Sequence, residues 1–99
     1  MNYEETLNFV LESKNYQNFP GFSEASQKKY TGVGLRQNNS GYPQVFWMKN
    51  GNFHRLDGPA IVEYHGIKSY YINHRVMSKE NYYSHPLVIQ HKLDKILQL

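Results

Sequence analysis

Ninety-nine residues supply one domain and one hydrophobic core, and the absence of Cys excludes a disulfide scaffold, thiol catalysis, iron–sulfur clusters and thiolate zinc sites. An apolar share of 39% with nine Tyr, five Phe and one Trp excludes a disordered chain. Eleven Lys and Arg against eight Asp and Glu give a formal +3, divided unevenly: residues 1–25 hold four acids and one base, net −3, and residues 26–99 hold ten bases and four acids, net +6.

The first segment, residues 1–16, reads as an amphipathic helix. Tyr3, Leu7, Val10 and Leu11 fall at i, i+4, i+7 and i+8, with Asn2 as N-cap and Glu4 and Glu5 in the first turn, where the helix dipole favours acids. The breakers Asn15, Asn18 and Pro20-Gly21 end it, and residues 18–29 are expected to be a linker with at most a short helical turn.

From residue 30 the period changes to that of strands. Residues 30–36 alternate around Gly32 and Gly34, and after a dense turn at 37–41 the segment 42–49 is the strongest strand, apolar on both faces and therefore central. Asn50-Gly51 predicts a type I′ hairpin turn, with 53–56 as the return strand. Asp57-Gly58-Pro59 predicts a second turn, followed by strands at 60–65 and 67–72. Links this short allow only antiparallel pairing. The expected fold class is α+β: an antiparallel meander of four or more strands over residues 30–77, flanked by the N-terminal helix and by a C-terminal helical hairpin at 78–99. Ser78 is the expected N-cap for 79–83, and His85 or Ser84 for a helix starting at Pro86. The set Val88, Ile89, Leu93, Ile96 and Leu97 predicts a stripe packed on the sheet.

One internal repetition stands out: Phe46-Trp47-Met48-Lys49-Asn50-Gly51 aligns with Ser69-Tyr70-Tyr71-Ile72-Asn73-His74. Between the copies lies Asn50-Gly51-Asn52-Phe53-His54-Arg55-Leu56-Asp57-Gly58-Pro59-Ala60. With the aromatic pair Tyr70-Tyr71 beyond it, this string resembles the aromatic-Asn-Gly-x-x-His-Arg-x-Asp-Gly-Pro-Ala hairpin repeat of small accessory proteins of tailed phages and prophages, itself distantly MORN-like. The resemblance spans residues 42–77. In the second copy His74-Arg75 replaces Gly and the next residue, and no second Asp-Gly-Pro-Ala follows. The resemblance implies a phage accessory protein made in a bacterial cytoplasm and acting on host machinery or defence systems; it carries no activity over.

His54-Arg55-x-Asp57 could supply an acid–base pair and an anion holder, but the same residues also serve a turn, with Asp57 accepting turn N–H groups, Gly58 tolerating positive φ, Pro59 presetting φ and Arg55 pairing with Asp57 or stacking on a neighbouring ring. The structural reading assigns Asn50, Gly51, Asp57, Gly58 and Pro59 to turns. No His spacing suits a metal, and no phosphate loop or nucleophile elbow is present. No catalytic residue, metal or cofactor is therefore expected. The expectation is a cytoplasmic, non-enzymatic protein that binds a host protein, with Tyr42, Tyr70, Tyr71, Arg55, Lys68 and Arg75 as candidate contacts. The alternative is nucleic-acid binding through Lys49, Arg55, Lys68 and Arg75 in the basic β segment. No run approaches the roughly 20 apolar residues of a membrane span, so no membrane partner is expected. Exposed strand edges leave a homodimer open.

Overall fold

The computed structural model describes residues 1–98, and Leu99, the last residue of the expected helical C-terminal region, lies outside the described residues. Helix α1 (Tyr3–Ser13) opens with a capping box: Asn2 Oδ1 accepts from the Glu5 N–H at 2.8 Å, and Glu5 Oε1 accepts from the Asn2 N–H at 3.2 Å. It stops at Lys14, which turns left-handed at φ 56°. Three residues on, β1 (Gln17–Asn18) begins, and α2 (Phe22–Gln27) follows it. The segment expected as a linker therefore holds the last residue of a strand and a six-residue helix. Its composition is polar, but Phe19, Phe22 and Ala25 are apolar enough to be buried or half-buried against the sheet.

The sheet continues with β2 (Gly32–Gln37), β3 (Pro43–Lys49), β4 (Asn52–Phe53), β5 (Ile61–Val62), β6 (Lys68–Ile72) and β7 (Arg75–Met77). Its order is β1-β2-β3-β5-β6-β7, with β4 pairing to β3 beside β5. The expected meander is antiparallel from β2 onward, but β1 joins β2 in parallel, so the sheet is mixed. A parallel neighbour needs a long crossover, and here α2 and its flanking turns supply it. The last strand, β7, returns antiparallel along β6 through Asn73-His74, both at positive φ.

β3 is central, as its two apolar faces required. On one side Val45, with Leu35 and Val62, packs under Tyr3, Leu7 and Val10 of α1. On the other, Phe46, Met48 and Phe53 pack under Phe19, Phe22 and Ala25. Rings stand edge to face where they meet, Phe22 against Phe46 at 5.2 Å and against Phe53 at 5.1 Å, the arrangement that aromatic quadrupoles favour. Gly34 belongs to this layer: a Cβ there would lie 2.2 Å from the Phe46 ring, so only glycine lets that ring lie flat on β2.

A third cluster lies at the far end, where Tyr70 and Ile72 of β6 meet Tyr82 of α3 (Lys79–Tyr83) and Val88 of α4 (Pro86–Leu97). Ser78 and His85 cap these helices as expected, Ser78 Oγ accepting from the Asn81 N–H and His85 Nδ1 from the Leu87 N–H. Of the expected α4 stripe, only Val88 packs against the sheet. Val88 is its single buried residue among those described, whereas Ile89, Leu93, Ile96 and Leu97 are 45 to 81% exposed. Tyr82, fully buried, already fills the space above Tyr70, and α4 reaches this cluster only with Val88.

Candidate functional site

The residues of the repeat string sit in one excursion of the chain. After β4 the backbone leaves the edge of β3 at His54 and returns at Ala60. Trp47 closes the loop from below: its carbonyl accepts from the His54 N–H at 3.2 Å, and its N–H donates to Ala60 O at 2.8 Å. For this reason the expected return strand 53–56 is cut to Asn52–Phe53. Inside the excursion the Arg55 guanidinium lies over the Trp47 ring, 3.7 Å from its centroid, and donates to Asp57 Oδ1 at 2.8 Å and to Pro59 O at 3.0 Å. Asp57 takes a second cation, Lys95 Nζ of α4, at 3.2 Å. The expectation that Asp57 accepts backbone N–H groups of its own turn is thus corrected: its partners are side chains, and the Gly58 N–H instead donates to the Tyr82 hydroxyl at 3.2 Å. That hydroxyl donates in turn to Arg55 O at 2.5 Å.

Burial pushes the Asp57 carboxyl up, but the hydrogen bonds and charges of Arg55 and Lys95 outweigh it and hold the group below the usual carboxylate range. Its contribution to stability is therefore present above the unfolded carboxylate range and is lost as pH falls through the lower folded value. The site is open to solvent, so that contribution is small.

The two histidines of the repeat face each other's hairpins. His54 Nδ1 accepts from the Asn73 N–H at 3.0 Å, and His74 Nδ1 accepts from the Phe53 N–H at 3.2 Å. The turn at Asn73-His74 and the end of β4 at Phe53-His54 are thereby tied reciprocally. Burial, with the charge of Lys49 adding to it, pushes His54 below its ordinary value. The unfolded chain then takes up a proton before the folded one, so stability is complete above about pH 6.5 and falls as pH drops from there toward the folded value. We expect the melting temperature to fall more between pH 7 and pH 5.5 in the native protein than in His54→Gln, whose amide oxygen keeps an acceptor without titrating. Equal slopes in the two proteins would show that His54 does not hold the Asn73 N–H in neutral form.

Five of the residues singled out in the sequence, Arg55, Asp57, Pro59, Lys68 and Tyr70, line one cleft of about 320 Å³ together with Lys79, Tyr83, Thr6 and Met1. Lys68 also donates to Met1 O at 2.9 Å. Elsewhere, Tyr42 stacks on Tyr64 with centroids 3.9 Å apart, both rings partly exposed. Tyr71 is half-buried against Phe53, and Tyr70 is buried. Arg75 is exposed on β7 and does not line the cleft. Asn50 and Gly51 take positive φ in the turn after β3, as a type I′ hairpin requires. A larger cavity of about 600 Å³ opens beside β1, lined by amides, prolines and Arg36. No group of three or more His, Asp or Glu residues suited to a metal exists among the described residues, and no described helix is long and apolar enough to cross a membrane.

The outer face of α4 is the feature that sequence reasoning placed on the wrong side. Taking 3.6 residues per turn, Lys92 and Lys95 fall within about a tenth of a turn of the buried Val88, so the cations face the body of the protein. Lys92 sits 4.8 Å above the Tyr83 ring, and Lys95 reaches Asp57. The ridge Ile89, Leu93, Ile96 and Leu97 is centred roughly a third of a turn away, toward solvent. Its amphipathic period was legible, and its direction was not. Compared with known protein families, curated proteins and solved structures, the chain matches none.

Proposed function

We propose that this protein is a non-enzymatic accessory protein of the phage type, which acts in a bacterial cytoplasm by binding a host protein and modulating or inhibiting it. The observation that carries this reading is the outward apolar ridge of α4. In water such a ridge is a cost, and contiguous exposed apolar surface marks an interaction site. Ile89, Leu93, Ile96 and Leu97 have the i, i+4, i+7, i+8 spacing of helices that lie in an apolar groove. The occupant that fits is a partner with such a groove. A twelve-residue helix is about 18 Å long, and a stable interface needs about 800 Å² from each side, more than this ridge offers against a flat copy of itself. A groove that wraps the helix covers more.

The resemblance of the His54 to Ala60 string to phage repeats supports the same reading. So does the use made of its chemistry, since His54, Arg55 and Asp57 are each engaged in holding the excursion together. The nucleic-acid alternative draws less support: Trp47 already takes one face of the Arg55 plane and Tyr70 near it is buried, so Tyr70 offers no ring for a base to stack on.

The test is capture from host cells by the native protein and by Leu93→Glu/Ile96→Glu. These side chains touch solvent, so the double variant is expected to melt within a few degrees of the native protein and to lose the captured host protein. A captured set that does not change would remove α4 as the docking element.

A further inference from the structure

Independently of what α4 binds, we propose that the cleft between the 55–59 excursion, β6 and α3 is a binding site for a small phosphate-bearing molecule. Three cations line it, Arg55, Lys68 and Lys79, against one acid, Asp57. They come from three different elements, so they approach from different directions, as the oxygens of a tetrahedral dianion require and the two oxygens of a carboxylate do not. Arg55 is held in place before any ligand arrives: Trp47 stacks beneath its plane, while Asp57 and Pro59 O take Nε and Nη1. Nη2 has no hydrogen-bond partner among the described residues and keeps its donors available. A guanidinium fixed in this way offers planar donors without the loss of side-chain freedom that a mobile one would incur on binding.

Lys79 makes no salt bridge among the described residues and lies one helical turn from Tyr83, which lines the same cleft. Burial pushes the Tyr83 phenol up, as does neighbouring Tyr70, and Lys79 and Lys92 only partly oppose them. It is thus a neutral hydroxyl donor at physiological pH. The volume of about 320 Å³ is larger than an inorganic phosphate requires and lies at the small end of ligand pockets. A phosphate monoester with a compact polar body, on the scale of a pentose phosphate, is the ligand class that fits.

The experiment is calorimetric titration of the full chain with inorganic phosphate and with ribose 5-phosphate, using ribose and sodium chloride at matched ionic strength as controls. Saturable binding of both phosphates is expected, tighter for ribose 5-phosphate, with none for ribose. Lys68→Met and Lys79→Met each lose a charge-assisted contact, and affinity should fall roughly tenfold or more in each. Lys79→Arg should retain binding, and Lys28→Met, at the end of α2 and outside the cleft, should leave it unchanged. Both methionine variants alter exposed side chains, and melting temperatures close to the native value will show that they fold. Absence of saturable phosphate binding by the native protein would overturn the proposal, as would affinities that Lys68→Met and Lys79→Met leave untouched.

Discussion

Gly51→Val is expected to lower the melting temperature by roughly 15 °C, the shift that about 3 kcal/mol produces in a domain of this size. Two costs combine. Gly51 has φ 80°, where a β-branched residue is strained by about 1–3 kcal/mol. A Cβ there would also lie 2.5 Å from the Ser26 carbonyl oxygen and 3.1 Å from the Lys29 Cα, both backbone atoms that cannot step aside alone. The Gly51 N–H donates to Tyr30 O at 2.9 Å, and the Asn50 N–H to Thr31 Oγ1 at 2.9 Å, so the hairpin is bolted to the end of α2. Moving it pulls α2 and Ala25 off Phe46. Gly66 supplies the control: it has the same φ of 80°, but nothing lies within 4 Å of its Cβ position. Thermal melts of the two valine variants therefore separate strain from collision, and equal losses would show that the hairpin does not dock on α2.

Tyr82→Phe should destabilise by about 2–4 kcal/mol, a large effect for the loss of one oxygen. The ring is fully buried, and its hydroxyl both accepts from the Gly58 N–H and donates to Arg55 O. Phenylalanine fills the same space and leaves both backbone groups without that partner, at about 1–3 kcal/mol for each buried group so stranded. Urea melts measure this directly. The same hydroxyl is the tie between α3 and the repeat excursion, so its loss should also loosen Arg55 over Trp47. A change of less than about 0.5 kcal/mol would mean that water replaces the phenol and the excursion stands without α3.

Period and capping were legible in the sequence wherever local chemistry decides the outcome. Asn2 and Glu5, Ser78, and His85 before Pro86 cap where expected, because each acts on backbone N–H groups a few residues away. Asn50-Gly51 forms its hairpin for a similar reason. What the sequence did not disclose is decided by partners far along the chain. β1 has only two residues and no apolar alternation, and it exists because β2 offers an edge. α4 has a strong stripe, but a period of 3.6 reveals which residues share a face and not which way that face points. Tyr82, 24 residues beyond Gly58, takes the space that the stripe of α4 would need.

At the candidate site, the turn role of the His54 to Ala60 string and the pairing of Arg55 with Asp57 or a neighbouring ring were foreseen, while the identity of the ring and the longer-range bonds were not. Arg55 on Trp47, Lys95 on Asp57 and the reciprocal His54 and His74 contacts all join positions 8 to 38 residues apart, counting from 47 to 55 and from 57 to 95. The repetition gave no signal for the histidine pair, because it aligns His74 with Gly51 and leaves His54 without a histidine counterpart.

The central claim is that the repeat string is scaffold while the outer face of α4 meets the partner. The most direct measurement is quantitative mass spectrometry of host proteins captured at low temperature by three forms: native, Asp57→Ala and Leu93→Glu/Ile96→Glu. Asp57→Ala removes one half-exposed carboxylate and its bonds to Arg55 and Lys95, costing on the order of 1 kcal/mol, too little to unfold the chain. The account predicts that Asp57→Ala captures the same host protein in the same amount as the native form and that the α4 variant captures none of it. A stable Asp57→Ala protein that loses the partner, beside an α4 variant that keeps it, would contradict the account and place binding in the repeat string.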